Sequence, residues 1–180
     1  MNHSDHVDLL KPAALPRGGT WADLGAGTGA FTLALRELIG QEADIHAVDK
    51  DRVSLDTLAQ RYRGRFGTRD RLRTLQADFS APLQLPPLDG VLMANSLHFF
   101  KDKAGILQRV GDMLKPSGTL LLVEYNVDRG NPWVPYPLSF QTFRSLAPTA
   151  GFSEPRLLAT HPSSFLRQFY SAMAARQAQA

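Results

Sequence analysis

The chain has 180 residues, a net charge of +3 and 43% hydrophobic residues, which suits a single domain long enough to bury a sizeable core. It has no cysteine, which excludes a disulfide framework and thiolate metal sites, and His3, His6 and His161 form no metal-binding spacing, so no metal is expected. No apolar run approaches the ~18 residues of a membrane span, and "MNHSDHVDLLKP" lacks the basic-then-apolar order of a signal peptide, so a soluble, cytoplasmic protein without a membrane partner is expected.

Within the first 18 residues, "HVDLLKPAAL" predicts a short helix. "TWADL" (20–24) predicts a strand that runs straight into three alternating glycines, Gly25, Gly27 and Gly29, where a strand turns sharply into a helix. "AFTLALRELIG" supplies that helix, with Phe31, Leu35 and Leu38 on one face and Gly40 as its stop. "ADIHAVDKD" (43–51) puts Ile45, Ala47 and Asp49 on one parity and reads as a second strand, and "RVSLDTLAQRYRGRF" as a second helix of the core. "LRTLQADFS" (72–80) is a third strand, and "LDGVLMANSLHFF" (88–100) carries a buried strand ending at Asn95. "AGILQRVGDML" (104–114) is an amphipathic helix closed by a turn at 115–118. "TLLLVEY" (119–125) is continuously apolar, as for a central strand covered on both faces.

After Tyr125 the rhythm changes. A loop runs from 126 to about 138, a helix covers "SFQTFRSLAPTAGF", and "EPRLLATHP" and "FLRQFYSAMAA" follow with only a few residues between them. So close a pair forms an antiparallel hairpin and not a parallel one, and strand is favoured over helix for the alanine-rich second segment. Strands alternating with helices predict a doubly wound, mostly parallel, Rossmann-like α/β sheet in one domain, residues 1–180.

In such a sheet a ligand sits beyond the carboxyl ends of the strands, where the strand order reverses. Glycines let backbone approach it, and the helix starting near Ala30 offers N–H groups to an anion. Asp49, 20 residues after Gly29, stands where a carboxylate accepts from ribose hydroxyls. Gly25-x-Gly27-x-x-Ala30 fits the dinucleotide fingerprint, so an NAD(P)-dependent oxidoreductase is a rival reading. Asp23 argues against it, because a carboxylate beside the turn repels two phosphates and favours a ligand carrying an ammonium. S-adenosylmethionine has that charge pattern, with a ribose, an amino acid end and a sulfonium but no phosphate.

From about Thr20 onward the chain resembles a class I S-adenosylmethionine-dependent methyltransferase of the small-molecule type. The resemblance rests on "DLGAGTG" (23–29), "AVDKD" (47–51), "QADFS" (76–80), "MANSLHFF" (93–100) and "MLKPSGTLLLVEY" (113–125), in that order. It implies a sheet order 3-2-1-4-5-7-6 with the seventh strand antiparallel. It implies S-adenosylmethionine held by Asp23, Gly25, Ala26, Gly27 and Gly29, with Asp49 on the ribose, Lys50 beside the adenine, Asp78 on the adenine amino group, Phe79 along the ring, and Asn95 at the methionine end. A non-catalytic S-adenosylmethionine-binding module is a further rival.

Each residue has a plainer reading. Asp23 could cap the glycine turn, Asp49 and Asp78 could be helix N-caps, Lys50 could be solvated, and Asn95 could be a turn residue. His98 is a candidate base and Glu124 a candidate pocket carboxylate; the alternatives are a packed histidine and a carboxylate that holds the loop after it. In "NVDRGNPWVPYPLSF" (126–140), Trp133 and Tyr136 are candidates for the wall of the acceptor pocket, or Trp133 pins the loop to the body. Residues 1–18 are a candidate lid, and a second subunit is the other means of completing an open pocket. Six arginines and one acid fall within 61–73. They are expected at the amino-end side of the sheet, opposite the methyl donor, which makes a nucleic-acid substrate a poor fit and a small-molecule acceptor the better one.

Overall fold

The structure is a computed structural model and describes residues 1–177. Strands β1 (Thr20–Leu24), β2 (Asp44–Asp49), β3 (Leu72–Gln76), β4 (Leu88–Ala94), β5 (Leu114–Tyr125), β6 (Arg156–Ser163) and β7 (Arg167–Ala175) form one sheet. Its order is 3-2-1-4-5-7-6, with β7 antiparallel to both β5 and β6 and the remaining pairs parallel. The chain steps outward from β1 to β2 and β3, then returns to β4 on the other flank of β1, so the reversal of strand order lies between β1 and β4.

Alternation along the strands feeds two cores. Ala22, Leu24, Val91 and Leu122 face one way, against α4 (Lys103–Met113) and α5 (Phe140–Leu146) through Ile106, Leu107, Val110 and Phe143. Trp21, Ile45, Leu92 and Leu121 face the other, against α1 (His3–Leu10), α2 (Ala30–Ile39) and α3 (Arg52–Phe66). Helix starts follow capping chemistry: Asp51 accepts from the Val53 and Ser54 amides at α3, Asp102 from Gly105 at α4, and Ser139 from Thr142 at α5. Helix α2 has no side-chain cap and starts from the left-handed Gly29.

Four expectations change. The third strand ends at Gln76, and 77–87 cross to β4 without regular structure, a segment that carries Pro82, Pro86 and Pro87. The expected turn at 115–118 lies inside β5: pairing jumps from Leu88–Leu114 to Gly90–Thr119, so the extra residues bulge without ending the strand. The helix after the 126–139 loop stops at Leu146, and Pro148 falls in a 3-10 turn (Ala147–Ala150) that closes at left-handed Gly151. The N-terminal helix is a layer of the fold: Leu9 and Leu10 are buried in the second core, and the His6 ring lies 4.7 Å from that of Phe31. None of its residues lines the cleft described next, so as a lid it meets the rim of α2 and not the mouth.

Among the described residues no helix is long and apolar enough to cross a membrane, and no cluster of three or more His, Cys, Asp or Glu is arranged to hold a metal.

Candidate active site

The carboxyl ends of β1, β2, β3 and β4 enclose a cleft of about 310 Å³. Six residues expected at the site line it: Gly25, Asp49, Lys50, Asp78, Phe79 and Asn95. Ala77, Ser96, Phe99 and Phe100 complete the wall. The rings of Phe79 and Phe100 meet at 5.0 Å and close one side.

The three glycines of the turn do different work. A Cβ on Gly25 would lie 2.4 Å from Ser96 Cβ, and one on Gly29 would lie 2.5 Å from Leu58 Cγ, so both glycines allow protein to pack against protein. Ser96 in turn donates from its hydroxyl to the Leu24 carbonyl at 2.7 Å, fastening the loop after β4 to the end of β1. Gly27, at φ +52°, has nothing within 4 Å of where its Cβ would be, so it alone faces open space.

Asp49 anchors this turn. One carboxylate oxygen accepts from the Gly27 amide at 2.7 Å and the other from the Asp51 amide at 2.9 Å. The α3 cap is Asp51, so Asp49 is not the N-cap residue. Each oxygen keeps a lone pair for a ligand hydroxyl. Asp78 is exposed and accepts from the Ser80 amide at 2.9 Å. Its bonds with Ser80, side chain and backbone, and secondarily the charge of Lys50, hold its carboxyl below the usual range, so it carries a negative charge at neutral pH. No helix follows it, so it caps none.

Asn95 occupies the left-handed region at φ +54°, where asparagine is tolerated, and its amide donates to the Val123 carbonyl at 2.9 Å. Its Oδ1 is enclosed without a partner among the described residues.

Asp23 lies on the α2 face of β1 and is 1% exposed, behind the glycine turn and outside the cleft wall. One oxygen accepts from the Thr32 hydroxyl at 2.6 Å, and the other, Oδ1, has no partner among the described residues. It does not cap the turn's amides: Gly25 and Ala26 donate to the Val48 carbonyl. Burial pushes its pKa up to about 7, the Thr32 bond opposes this, and the charge of Asp49 adds to it.

Glu124 and His98 are both buried and bonded to each other, Nδ1 to Oε2, at 2.7 Å. Glu124 Oε1 also accepts from the Leu97 and His98 amides at 3.0 and 3.1 Å. The carboxylate thus holds the loop after β4, and not the loop after its own strand. It is sealed from the cleft wall, and His98 does not line the cleft either.

The 126–139 loop is fastened by its backbone and by aliphatic side chains. The Tyr136 amide donates to the His98 carbonyl at 2.9 Å, Asn131 Oδ1 accepts from the Trp133 and Val134 amides at 2.9 Å each, and Val134 and Leu138 are buried. Trp133 does not pin the loop: its side chain is 71% exposed.

The arginines largely occupy the far end of α3 and the connection to β3, where Arg65 pairs with Glu37 and Arg71 with Asp44. Arg61 departs from that expectation and reaches the back of the glycine turn, donating to the Thr28 carbonyl and hydroxyl at 3.0 and 3.2 Å. Sequence reading also missed Arg36, which is buried and ties the Gly40, Ala43 and Arg71 carbonyls together.

A family model described as a methyltransferase domain matches residues 22–120. Over 105 residues the chain is 30% identical to the ubiquinone/menaquinone biosynthesis C-methyltransferase UbiE of Wigglesworthia glossinidia brevipalpis, a match covering 58% of this chain and 42% of that protein. The chain spans between a third and a half of the length of the curated relatives it matches. Its fold is similar to that of YcgJ from Bacillus subtilis, with a TM-score of 0.79 at 14% identity over 98% of this chain and 100% of the other. It is also similar to a SAM-dependent methyltransferase from Aquifex aeolicus, with a TM-score of 0.73 at 20% identity over 96% and 89% of the two chains. With more than half of its residues inside the family match, the chain belongs to the methyltransferase domain family.

Proposed function

We propose that the protein transfers the methyl group of S-adenosylmethionine to a small-molecule acceptor by in-line displacement. The observation that carries this reading is the cleft itself, where Asp49, Asp78, Phe79 and Asn95 meet the glycine turn at the point of strand reversal. The residues present fit the donor. Gly27 leaves open space for a close backbone approach, the unpartnered Oδ1 of Asn95 on the cleft wall suits the ammonium side of an amino acid tail, and the carboxyl of Asp23 behind the turn would favour that positive charge without touching it. Asp49 would take the ribose hydroxyls and Asp78 the adenine amino group, with Phe79 along the ring and Lys50 beside it.

The bound donor supplies an already activated methyl group on a sulfonium. The protein's own task is to hold that group in line with the acceptor and keep water from the path. Gly25 and Ser96 fix the floor of the cleft, and Phe79, Phe99 and Phe100 supply its apolar walls. No dedicated base is required for an acceptor that is nucleophilic at neutral pH.

Calorimetric titration tests the reading. S-adenosylmethionine and its demethylated product should bind at micromolar concentration, whereas NAD(P) should not bind. Saturable binding of NAD(P) without binding of S-adenosylmethionine would overturn it.

A further inference from the structure

Of the seven large hydrophobic side chains that stand exposed among the described residues, four are aromatic: Phe99, Trp133, Tyr136 and Phe165, at 57%, 71%, 43% and 49%. The other three, Met1, Val53 and Leu157, are aliphatic and come from the N-terminus, the first turn of α3 and the start of β6. Isolated exposed hydrophobes are ordinary on a protein surface; rings gathered beside a cleft are not. The four come from three separate segments: the loop after β4, the loop after β5, and the β6–β7 turn. All three segments lie at the carboxyl end of β4 and β5, because β7 enters the sheet there, with Phe169 opposite Tyr125.

Ring contacts link the three segments, through the buried His98 ring beneath Phe99 and through Tyr125. His98 lies 4.3 Å from Phe99 and 6.1 Å from Tyr125, Tyr125 lies 6.0 Å from Phe165, and Phe165 lies 6.3 Å from Trp133. Phe99 is also a wall of the cleft, so one end of this row of rings borders it. Its supports are tied by hydrogen bonds. The buried Glu124 holds the Leu97 and His98 amides and the His98 ring, and the His98 carbonyl holds Tyr136. Rings fixed at the mouth of a cleft present broad apolar faces at little cost in conformational entropy.

Resting on the methyl-transfer reading, we infer that the acceptor is a planar aromatic molecule that lies on this surface, with the end to be methylated at Phe99 and the remainder directed toward Phe165 and Trp133. The rings face π-systems by offset or edge contacts, which a saturated skeleton of equal size does not return. The Glu124–His98 pair is a positioning element here, because it fixes the peptide that carries Phe99.

The protein carries its own reporter. Its two tryptophans are Trp21, buried in the second core, and the exposed Trp133, so a surface ligand quenches Trp133 selectively. The experiment titrates the full chain, with and without S-adenosylhomocysteine, with 1-naphthol and with decahydro-1-naphthol. Fluorescence and calorimetry are the readouts. The expected result is saturable quenching by 1-naphthol, at least tenfold weaker binding of the saturated analogue, and at least fivefold weaker naphthol binding in Phe165→Ala. Trp133→Ala, followed by calorimetry, should show the same loss. Both variants should bind S-adenosylmethionine within threefold of the parent. Equal affinity for the two alcohols, or naphthol binding unaffected by both substitutions, overturns the inference. So does sedimentation with phosphatidylcholine–phosphatidylglycerol vesicles that depends on Trp133 and Phe165 while naphthol fails to bind, since the surface is then a membrane contact. If S-adenosylmethionine itself fails to bind the parent chain, it is the methyl-transfer reading that falls, and the naphthol comparison still reports on the surface.

Discussion

Replacing Asp23 with asparagine should make the protein more stable and a poorer binder of S-adenosylmethionine. The carboxyl is fully buried, and its pKa rises from 3.8 to about 7. Between those values the folded protein holds a proton that the unfolded chain has released. Stability from this group is therefore present at low pH and is lost as pH climbs from about 4 to about 7. Roughly three pKa units at ~1.4 kcal/mol each put the pH-dependent part on the order of 4 kcal/mol. The asparagine keeps an oxygen for the Thr32 hydroxyl and does not titrate. Urea denaturation at pH 5 and pH 8 should show the variant gaining on the parent by several kcal/mol at the higher pH. A ligand ammonium in the cleft would favour the ionised carboxyl across the glycine turn, so at pH 6 the parent should release part of a proton on binding and the variant none. Calorimetry in two buffers of different ionisation enthalpy reads this. At pH 8 the variant should bind S-adenosylmethionine about tenfold more weakly, roughly 1.4 kcal/mol, the size of a charge–charge attraction acting through the low-dielectric turn. An adenosine analogue without the amino acid tail should not distinguish the two proteins. If the variant loses affinity for that analogue as well, or tracks the parent at both pH values, Asp23 is shaping the turn and not reading a cation.

The glycines should separate by assay: Gly27→Val should weaken S-adenosylmethionine binding more than tenfold with a modest loss of stability from its positive φ, whereas Gly25→Ala and Gly29→Ala should lower the melting temperature by several degrees because each collides with protein. Asp49→Ala removes both a ribose acceptor and the anchor of the Gly27 amide, so its cost in donor affinity should be about 2–3 kcal/mol, against under ~1 kcal/mol for Asp78→Asn, which retains an oxygen; comparable negligible losses in calorimetry would refute the assignment. Glu124→Gln keeps an oxygen for the Leu97 and His98 amides but turns an N–H₂ on His98 Nδ1, which must switch tautomer to accept it, and denaturation should register about 1–2 kcal/mol of lost stability.

The elements that position the site were legible because they depend on local rules. Period 2 in "TWADL" and "ADIHAV", period 3.6 in "AFTLALRELI", and the glycine run between them need no knowledge of the rest of the chain. What escaped were contacts between residues far apart in sequence. Gly25 must be glycine because of Ser96, Thr28 is met by Arg61, and Glu124 turns back to Leu97 and His98, and no spacing encodes these encounters. The β5 bulge escaped for a different reason: Pro116 and Gly118 are ordinary turn residues, and only pairing with β4 on both sides of them makes the segment one strand. Asp23 was legible as an acid beside a ligand turn, but its enclosure was not, because it depends on α2 lying over β1.

The position of β7 bears on how the sheet closes. It follows β6 in the chain, yet it fills an interior slot between β5 and β6, and the buried Ser171 hydroxyl on it donates to the Leu9 carbonyl, 162 residues earlier. Without β7, β5 is an apolar strand with one bare edge, and the Leu9 carbonyl loses the hydroxyl that meets it. The sheet is therefore closed only when β7 is in place, and an N-terminal helix and a strand far along the chain depend on each other for their burial.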